Sequence, residues 1–369
     1  MRDVTSRHEV IVVGGGQAGL AMGYFLREQG RDFTILEAAD QPAAAWRDRW
    51  DSLKLFTPAR YSALPGLPVP GDGDRYPTRD EVATYLAKYA RELDLPIQLG
   101  SRVRSLRRAD DAYVLETDER TYEAEQVVVA TGPFQTPRVP LIADQLDPHV
   151  VQLHSSAYRN PDDLPEGPAL VVGGGNSGFQ IAEELAASHE VHLAIGSRQT
   201  PLPQRLLGRD LFWYLERTGL IHKNLDSRIG QRLSGRDTLI GSTPRRIRRR
   251  GVEIYPRAVS AERSTVTFSD GAKLHIGAVI WATGFRSDYS WIDVPVFDES
   301  RAPVHRRGVT ESPGLHFLGP TWQYTRGSAL LGWVNDDARY LAQKIDEFSA
   351  TGSPGSASTA GAKSPQLIA

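Results

Sequence analysis

Residues 10–19 read Val-Ile-Val-Val-Gly-Gly-Gly-Gln-Ala-Gly, a β-branched run that ends in the pattern G-x-G-x-x-G. Apolar residues at helical spacing follow from Ala18 to Gln29, and a second apolar run occupies Phe33 to Leu36. This order predicts a strand, a glycine turn, a helix and a second strand. In such a unit the first glycine allows the tight turn, the second lets a pyrophosphate approach the helix, and the third lets helix and strand pack closely.

An acidic residue stands at the expected place after this unit. Glu37 ends the second apolar run, about 20 residues after the turn, where a carboxylate accepts hydrogen bonds from an adenosine ribose. We therefore expect a dinucleotide site formed by the turn and this carboxylate. Its residues are Gly14, Gly16, Gln17, Ala18, Gly19 and Glu37.

The same pattern recurs later in the chain. Residues 169–178 read Ala-Leu-Val-Val-Gly-Gly-Gly-Asn-Ser-Gly, and a helical pattern and an apolar run from Val191 to Ile195 follow. Here Ser197 and Arg198 replace the acid, and they suit the 2′-phosphate of NADPH better than a free hydroxyl. The alternative for Arg198 is a solvated surface arginine. The turn residues expected to bind this second dinucleotide are Gly173, Gly175, Asn176, Ser177 and Gly178.

Each half of this internal repeat closes with the same tripeptide. Gln126 to Val129 leads into Ala130-Thr131-Gly132, and Ala278 to Trp281 leads into Ala282-Thr283-Gly284. Both tripeptides end a strand that returns to the edge of a nucleotide-binding sheet, so Thr131, Gly132 and Gly284 are expected cofactor contacts. Two such sites in one chain imply FAD as a prosthetic group and NADPH as the electron donor.

The composition of the 369 residues limits the remaining possibilities. With no cysteine, disulfides, thiolate metal sites and a dithiol redox cycle are excluded. A formal net charge of -2 disfavours a nucleic-acid partner, and the nine histidines show no metal-ligand spacing, so we expect no metal. Glycines break the most apolar N-terminal stretch, which predicts a cytoplasmic protein without a membrane span.

These features predict an α/β protein with two nested three-layer Rossmann-like dinucleotide-binding domains. The FAD domain is expected to take residues 1–165 and 286–350. The NAD(P)H domain, residues 166–285, is inserted between them and carries a mostly helical insertion at 200–250. Residues 351–369 are small and polar, which predicts a disordered tail.

A last helix is expected from Ser328 to Phe348. Its N-terminus should point at the pyrimidine edge of the flavin, which gains negative charge on reduction. Gly319 and Ser328 are then expected flavin contacts, and Val103, at the start of another predicted strand, is a further one.

With these motifs the chain resembles the flavin-containing monooxygenase family, in the form of its small bacterial members, over roughly residues 8–348. Disulfide reductases share two dinucleotide domains, but this chain lacks the thiol pair they need. Residues 46–58, Trp-Arg-Asp-Arg-Trp-Asp-Ser-Leu-Lys-Leu-Phe-Thr-Pro, are similar to the family stretch that runs past the flavin ring. The resemblance implies flavin contacts at Trp46, Arg47 and Leu55.

Residues 153–158, Leu-His-Ser-Ser-Ala-Tyr, match the H-x-x-x-Y half of the family's monooxygenase fingerprint. The F-x-G half is absent, because Pro148 and Val150 stand in its place. We therefore expect His154 and Tyr158 to have a structural role that links the domains.

The resemblance also implies an activity. NADPH reduces FAD, the reduced flavin adds dioxygen to form a C4a-peroxyflavin, and a small sulfur or nitrogen compound takes one oxygen atom. Phe56 is then the aromatic residue beside the oxygen site, Asn176 anchors the nicotinamide half, and the protein excludes water.

Two alternatives remain open at this stage. One is an FAD-dependent NADPH oxidase or reductase without oxygen insertion, and the other is a nucleotide-binding redox sensor. The expected partners of the enzyme are a small-molecule substrate and dioxygen, and a homodimer is left open.

Overall fold

The structure is a computed structural model that describes residues 4–197, 199–234 and 238–351. Two predictions, the phosphate-binding role of Arg198 and the disorder of the tail from residue 352 onward, lie outside the described residues.

The α-helices are α1 (Gln17–Glu28), α2 (Ala44–Arg47), α3 (Arg79–Glu92), α4 (Asn176–Leu185), α5 (Leu211–Arg217), α6 (Arg228–Ser234), α7 (Pro244–Arg248) and α8 (Val334–Thr351). The first strands are β1 (Val4–Val13), β2 (Phe33–Leu36), β3 (Ile97–Gln98), β4 (Val103–Ala109), β5 (Ala112–Thr117), β6 (Thr121–Val129), β7 (Thr136–Pro137), β8 (Val151–His154), β9 (Ala169–Val172), β10 (Val191–Ala194) and β11 (Thr200–Leu202). The remaining strands are β12 (Arg205–Leu206), β13 (Arg209–Asp210), β14 (Thr238–Ile240), β15 (Glu253–Tyr255), β16 (Ala258–Glu262), β17 (Thr265–Phe268), β18 (Lys273–His275), β19 (Ala278–Trp281), β20 (Phe285–Arg286), β21 (Ile292–Asp293) and β22 (Leu315–Phe317).

The larger sheet has the strand order β21-β4-β5-β6-β1-β2-β3, with β22 also paired to β6. The long strand β6 serves two partners: its first residues pair antiparallel with β5, and Val127 to Val129 pair parallel with β22. Because β1, β2, β6 and β22 are parallel, their carboxyl ends meet at one edge of the sheet.

Alternating residues of β1 build a core on each face of this sheet. Val10 and Val12 pack with apolar residues of α1, α3 and α8, whereas Ile11 and Val13 pack with apolar residues of β4, β5 and the segment 289–297. All four side chains are buried. Helices, parallel sheet and antiparallel strands therefore form three layers.

The smaller sheet consists of five parallel strands in the order β15-β10-β9-β19-β8. Ala169 and Val171 of β9 pack against α4 and α7, and Leu170 and Val172 pack against β17 on the other face. The α/β prediction with two Rossmann-like three-layer domains is thus confirmed. Strand β8 lies in this sheet, ahead of the predicted domain division at residue 165.

The two sheets are joined by a short ribbon. Strand β7 follows the first Ala-Thr-Gly tripeptide, β20 follows the second, and the two pair antiparallel, with Phe285 opposite Pro137. The segments that leave the two nucleotide-binding edges are therefore neighbours in space.

The segment 200–250 differs from the prediction of a mostly helical insertion. Its three short helices, α5, α6 and α7, alternate with the short strands β11 to β14. Pro201 and Pro203 explain the start of this segment, because a proline inside a helix removes a hydrogen bond and clashes with the preceding turn.

The last α-helix begins at Val334, so the prediction that it begins at Ser328 is wrong. Arg326–Ala329 form a 3-10 turn capped by Thr325, and Leu330 then adopts an extended conformation with ψ 144°. The chain also passes tightly over Tyr61, because a Cβ at Gly332 would overlap the Tyr61 carbonyl oxygen. The extended residue Leu330 and a turn at 331–333 therefore separate the 3-10 turn from the helix.

Candidate functional site

The first glycine turn is held by close backbone contacts. Gly14 has φ +111°, and a Cβ there would lie 2.7 Å from the carbonyl oxygen of Ala130. A Cβ at Gly19 would overlap the carbonyl oxygen of Gly14. The protein itself therefore requires glycine at these two positions.

Gly16 is different, because nothing in the protein requires it to be glycine. Its φ of -80° and ψ of -171° suit any residue, and a Cβ there would meet no atom within 4 Å. Gly16 is the N-cap of α1, where no side chain caps the helix and no acid stands in the first turn. The free helix N-terminus and the open space above Gly16 fit a pyrophosphate.

Glu37 lies beside this turn, as predicted. Its Oε2 accepts a 2.6 Å hydrogen bond from the backbone N–H of Gly15, and its Oε1 accepts a 2.8 Å bond from Ala39. The carboxylate is half-buried and retains acceptor capacity for a ribose hydroxyl. The N–H of Ser101 bonds to the Glu37 carbonyl, which brings the start of β4 and Val103 to this edge.

The second turn repeats the first. Gly173 has φ +138°, and a Cβ there would overlap the carbonyl oxygen of Ala282, while a Cβ at Gly178 would overlap that of Gly173. Gly175 has φ -81°, is exposed and would place a Cβ in open space. It is the N-cap of α4, which also lacks a capping side chain and an acid in its first turn. Ser177, half-buried, lies in the same first turn.

The ribose edge of the second turn holds a basic residue that sequence reasoning missed. Strands β10 and β15 are parallel neighbours, so Ser197 and Arg257 follow strand ends at the same edge. Arg257 is exposed, and its Nη2 donates a 2.9 Å hydrogen bond to the carbonyl of Gly196. The sequence signal was the short stretch Val-Glu-Ile-Tyr at 252–255, whose last three residues form β15.

Asn176 is bound to the protein on both sides of its amide. Its Oδ1 accepts a 2.9 Å hydrogen bond from the N–H of Ile240, and its Nδ2 donates to the carbonyl of Thr238 at 3.3 Å. The side chain therefore fixes β14 against the start of α4. This geometry makes Asn176 a positioning residue of the second turn.

The two Ala-Thr-Gly tripeptides have the same backbone form, with φ +71° at Gly132 and +80° at Gly284. Gln135 Nε2 donates to the Thr131 hydroxyl and to the Gly132 carbonyl, at 2.9 and 2.8 Å. In the second tripeptide the Gly284 carbonyl accepts a 3.0 Å hydrogen bond from Nε2 of His154. Both turns are thus fixed by a side chain from outside the tripeptide.

His154 and Tyr158 are buried and bound to protein. The N–H of Ser156 donates to Nδ1 of His154, so the imidazole carries its proton on Nε2, and burial lowers its pKa. The Tyr158 hydroxyl donates a 2.9 Å hydrogen bond to Glu184. These bonds tie β8 to the second tripeptide and to α4, which is a structural role.

The segment 46–56 runs between the two domains. Trp46 packs against the cores of both sheets. Arg47 lies in the short helix α2, and its Nε is buried without a hydrogen-bond partner, which fits an acceptor on a bound group. Leu55 is half-buried against the core of the larger sheet.

Phe56 belongs to a chain of contacting rings that we call the four-ring cluster: Phe56, Phe212, Trp333 and Tyr61. Neighbouring ring centroids lie 6.0, 5.3 and 5.8 Å apart along this chain. Gln204 bonds to the Phe56 carbonyl, and the Tyr76 hydroxyl donates a 2.6 Å bond to Asp210, which caps α5. The insertion thereby packs an apolar wall onto the larger domain.

The C-terminal turn lies against the first helix. Gln17 Nε2 donates a 2.9 Å hydrogen bond to the carbonyl of Ala329, and a Cβ at Gly319 would lie 3.0 Å from Ala18. Ser328 is fully buried, and its hydroxyl accepts bonds from the N–H groups of Tyr324 and Thr325. The Ser328 side chain therefore shapes the turn.

In the described part of the chain, no three His, Asp or Glu side chains form a candidate metal cluster. Within the same residues, none of the helices combines the length and apolarity needed to cross a membrane.

Comparisons with known proteins identify relatives of the whole chain. The sequence pattern of the family described as "Pyridine nucleotide-disulphide oxidoreductase" matches residues 11–205. A Geobacillus kaustophilus protein named "Uncharacterized oxidoreductase CzcO-like" is 45% identical over 340 residues, which are 91% of this chain and 98% of that protein. The indole-3-pyruvate monooxygenase YUCCA4 of Oryza sativa subsp. japonica is 28% identical, with 91% of this chain and 86% of that protein covered.

Among solved structures, the flavin-containing monooxygenase from Stenotrophomonas maltophilia matches with a TM-score of 0.80 and 29% sequence identity. The match covers 94% of this chain and 100% of that one.

Proposed function

Because the chain belongs to the pyridine nucleotide-disulphide oxidoreductase family and is a flavin monooxygenase-like, FAD- and NAD(P)-dependent oxidoreductase, we propose that it is an NADPH-dependent monooxygenase. Its substrate is a small compound with a nucleophilic sulfur or nitrogen atom, and its second substrate is dioxygen. When bound, the flavin accepts a hydride from NADPH and, once reduced, reacts with dioxygen.

The observation that carries this proposal is the shared form of Gly16 and Gly175. Each is the N-cap of a helix. Neither its backbone angles nor any neighbouring protein atom requires a glycine at that position. Two such positions, one in each domain, fit two dinucleotides. The resemblance to flavin monooxygenases supports the oxygen-transfer part of the proposal.

We assign FAD to the domain of the larger sheet, where the α1 N-terminus receives the pyrophosphate, Glu37 the ribose and Arg47 an acceptor atom. NADPH belongs to the domain of the smaller sheet, which includes β8. There the α4 N-terminus receives the pyrophosphate, and Ser197, Arg198 and Arg257 receive the 2′-phosphate. The absence of an acid in the first turn of α1 or α4 avoids repulsion of either pyrophosphate.

The four-ring cluster supplies the apolar wall that such a reaction needs. Phe212 and Trp333 are buried, and Phe56 and Tyr61 are half-buried at its ends. An apolar wall excludes water, which protects the reactive oxygen from loss as hydrogen peroxide. Phe56 contributes its ring to this wall, and its backbone carbonyl accepts a hydrogen bond from Gln204 Nε2.

The test is aerobic turnover of the FAD-loaded protein with NADPH, isotopically labelled dioxygen and a panel of sulfides and amines. We expect one panel member to gain one labelled oxygen atom, with NADPH consumption matching product. Phe56→Ala should divert more NADPH to hydrogen peroxide, whereas Phe56→Leu should stay near wild type. Recovery of all electrons as hydrogen peroxide with every compound would instead establish an NADPH oxidase.

A further inference from the structure

Arg49 is a half-buried cation beside two aromatic rings that contact each other edge to face. Its guanidinium carbon lies 5.1 Å from the ring centre of Phe134 and 5.2 Å from that of Phe285. Burial lowers the pKa of this guanidinium. Among the described residues, its side chain has no hydrogen bond and no ion pair with a carboxylate.

The two rings come from the segments that leave the two nucleotide edges. Phe134 follows the tripeptide that packs against Gly14, and Phe285 follows the tripeptide that packs against Gly173. Strands β7 and β20, which carry these segments onward, are paired. Arg49 therefore lies at the junction between the two glycine turns.

The two charged neighbours act on Arg49 in opposite directions: after burial, the Asp48 carboxylate raises its pKa and the Arg159 cation lowers it. Asp48 is exposed, and its carboxylate and backbone carbonyl are approached by Arg159 at 3.9 and 2.7 Å. Asp48 makes no ion pair with the Arg49 guanidinium in the part of the chain that the structure describes. His154, the other titratable group at this junction, is buried and its pKa is lowered.

A desolvated charge without a counter-ion costs free energy, and proteins retain such groups where a ligand supplies the opposite charge. The bound state proposed above brings two pyrophosphates to the edges on either side of Arg49. Those anions repel each other across the junction, and a cation between them offsets the repulsion.

We propose that Arg49 is an anion-binding residue for the pyridine dinucleotide: its charge raises the affinity of NADP(H) for the FAD-loaded protein. This inference rests on the proposed function, since it requires both dinucleotides in one chain. Contact with the two rings fixes the charge at the junction, which gives Phe134 and Phe285 a positioning role.

The experiment is titration of oxidised, FAD-loaded protein with NADP⁺, followed by the change in the flavin absorption spectrum at low and high salt. Arg49→Met should weaken NADP⁺ binding at least about 10-fold at low salt. This difference should shrink at high salt, where charges are screened. Arg49→Lys, which keeps the charge, should bind NADP⁺ within about 3-fold of wild type.

Arg107→Met is the matched control, because Arg107 is an exposed arginine on β4, and it should leave the dissociation constant unchanged. Arg49→Gln is a second neutral variant in case Arg49→Met fails to retain FAD. Equal weakening in Arg49→Lys and Arg49→Met, or unchanged binding in Arg49→Met, would overturn the inference and leave the proposed function intact. A wild-type protein that retains FAD but does not bind NADP⁺ would overturn both.

Discussion

The backbone N–H of Gly15 donates a 2.6 Å hydrogen bond to the Oε2 of Glu37, so the acid that follows β2 closes the side of the first glycine turn. At the second turn, the place of the Glu37 carboxylate is taken by neutral side chains. A Cβ at Gly174 would meet the amide of Gln199 and the side chain of Ile195. The two glycine turns therefore have the same backbone form and differ in the side chain that stands beside them. This difference supports FAD at the first turn and NADPH at the second.

The first prediction concerns Glu37. Glu37→Gln places an amide where the carboxylate now accepts bonds from Gly15 and Ala39, and it removes the charge that a ribose hydroxyl would meet. A hydrogen bond to a charged group is worth about 1.5 to 3 kcal/mol, so FAD affinity should fall about 10- to 150-fold. Fluorescence titration of apoprotein with FAD measures this, and Glu28→Gln, an exposed change on α1, is the control. Equal FAD affinity in Glu37→Gln and wild type would refute the assignment of Glu37.

The second prediction compares the same substitution at the two glycine turns. Gly16→Val should abolish FAD retention, whereas Gly175→Val should retain FAD and lose NADP⁺ binding, because each side chain enters the space of one pyrophosphate. Neither change should lower the melting temperature of the apoprotein by more than a few degrees, since neither Cβ meets protein. Absorbance of the purified protein and NADP⁺ titration provide the readouts. If Gly175→Val lost FAD and kept NADP⁺ binding, the assignment of the two cofactors would be reversed.

Gly19→Ala serves as the structural contrast to Gly16→Val. Its Cβ would overlap the carbonyl oxygen of Gly14, so this small change should destabilise the apoprotein even without any cofactor. Similar melting temperatures for Gly19→Ala and wild-type apoprotein would contradict the close packing of α1 on the turn.

Much of the fold could be predicted from the sequence. The strands Phe33–Leu36, Ala169–Val172 and Ala278–Trp281 appear at their predicted residues, because each is a short apolar run followed by a break in the pattern. The start of α8 was not predictable in this way. It depends on Gly332 passing over the Tyr61 backbone, which is a contact between distant parts of the chain.

The parts of the site that are local sequence motifs could also be predicted, and the residues that tertiary contacts bring to it could not. The turns and Glu37 are local motifs, and the structure places them together. Arg257 was missed because the pairing of β15 with β10 brings it to the edge beside the second turn. Arg49 was missed because the pairing of β7 with β20 brings together the two segments whose rings contact it. The hydrogen bonds that hold Asn176 come from Thr238 and Ile240, which no local pattern connects to the second turn.

The third prediction concerns the choice of electron donor. Arg198→Ala and Arg257→Ala should each lower kcat/KM for NADPH by about 10- to 150-fold and leave kcat/KM for NADH nearly unchanged, because only NADPH carries the 2′-phosphate. Arg257→Lys should recover part of the loss, since it restores the charge without the planar fork. Steady-state kinetics with both donors measures the effect, and Arg248→Ala is an exposed control. Unchanged NADPH to NADH ratios in both alanine variants would remove the two arginines from the donor site.

The fourth prediction concerns His316, which is fully enclosed in the larger domain, where burial lowers its pKa to about 4. The unfolded chain binds a proton near the ordinary pKa of about 6.5, so stability is complete above that pH and falls as the pH decreases toward 4. The loss reaches roughly 3 kcal/mol near pH 4.

His316→Gln should remove this part of the pH dependence, as measured by urea unfolding across the same range. His149→Gln, at an exposed histidine, should leave the pH dependence as in wild type. A stability curve for His316→Gln that is parallel to wild type would contradict a neutral buried imidazole.

The central claim is that one chain binds both FAD and NADPH and that the bound NADPH reduces the FAD. Its most direct test is anaerobic mixing of the purified, FAD-loaded protein with NADPH in a stopped-flow spectrometer. The account predicts complete loss of the oxidised-flavin absorption band with about one NADPH per flavin, and a slower loss with NADH. Persistence of the oxidised band in the presence of excess NADPH would contradict it.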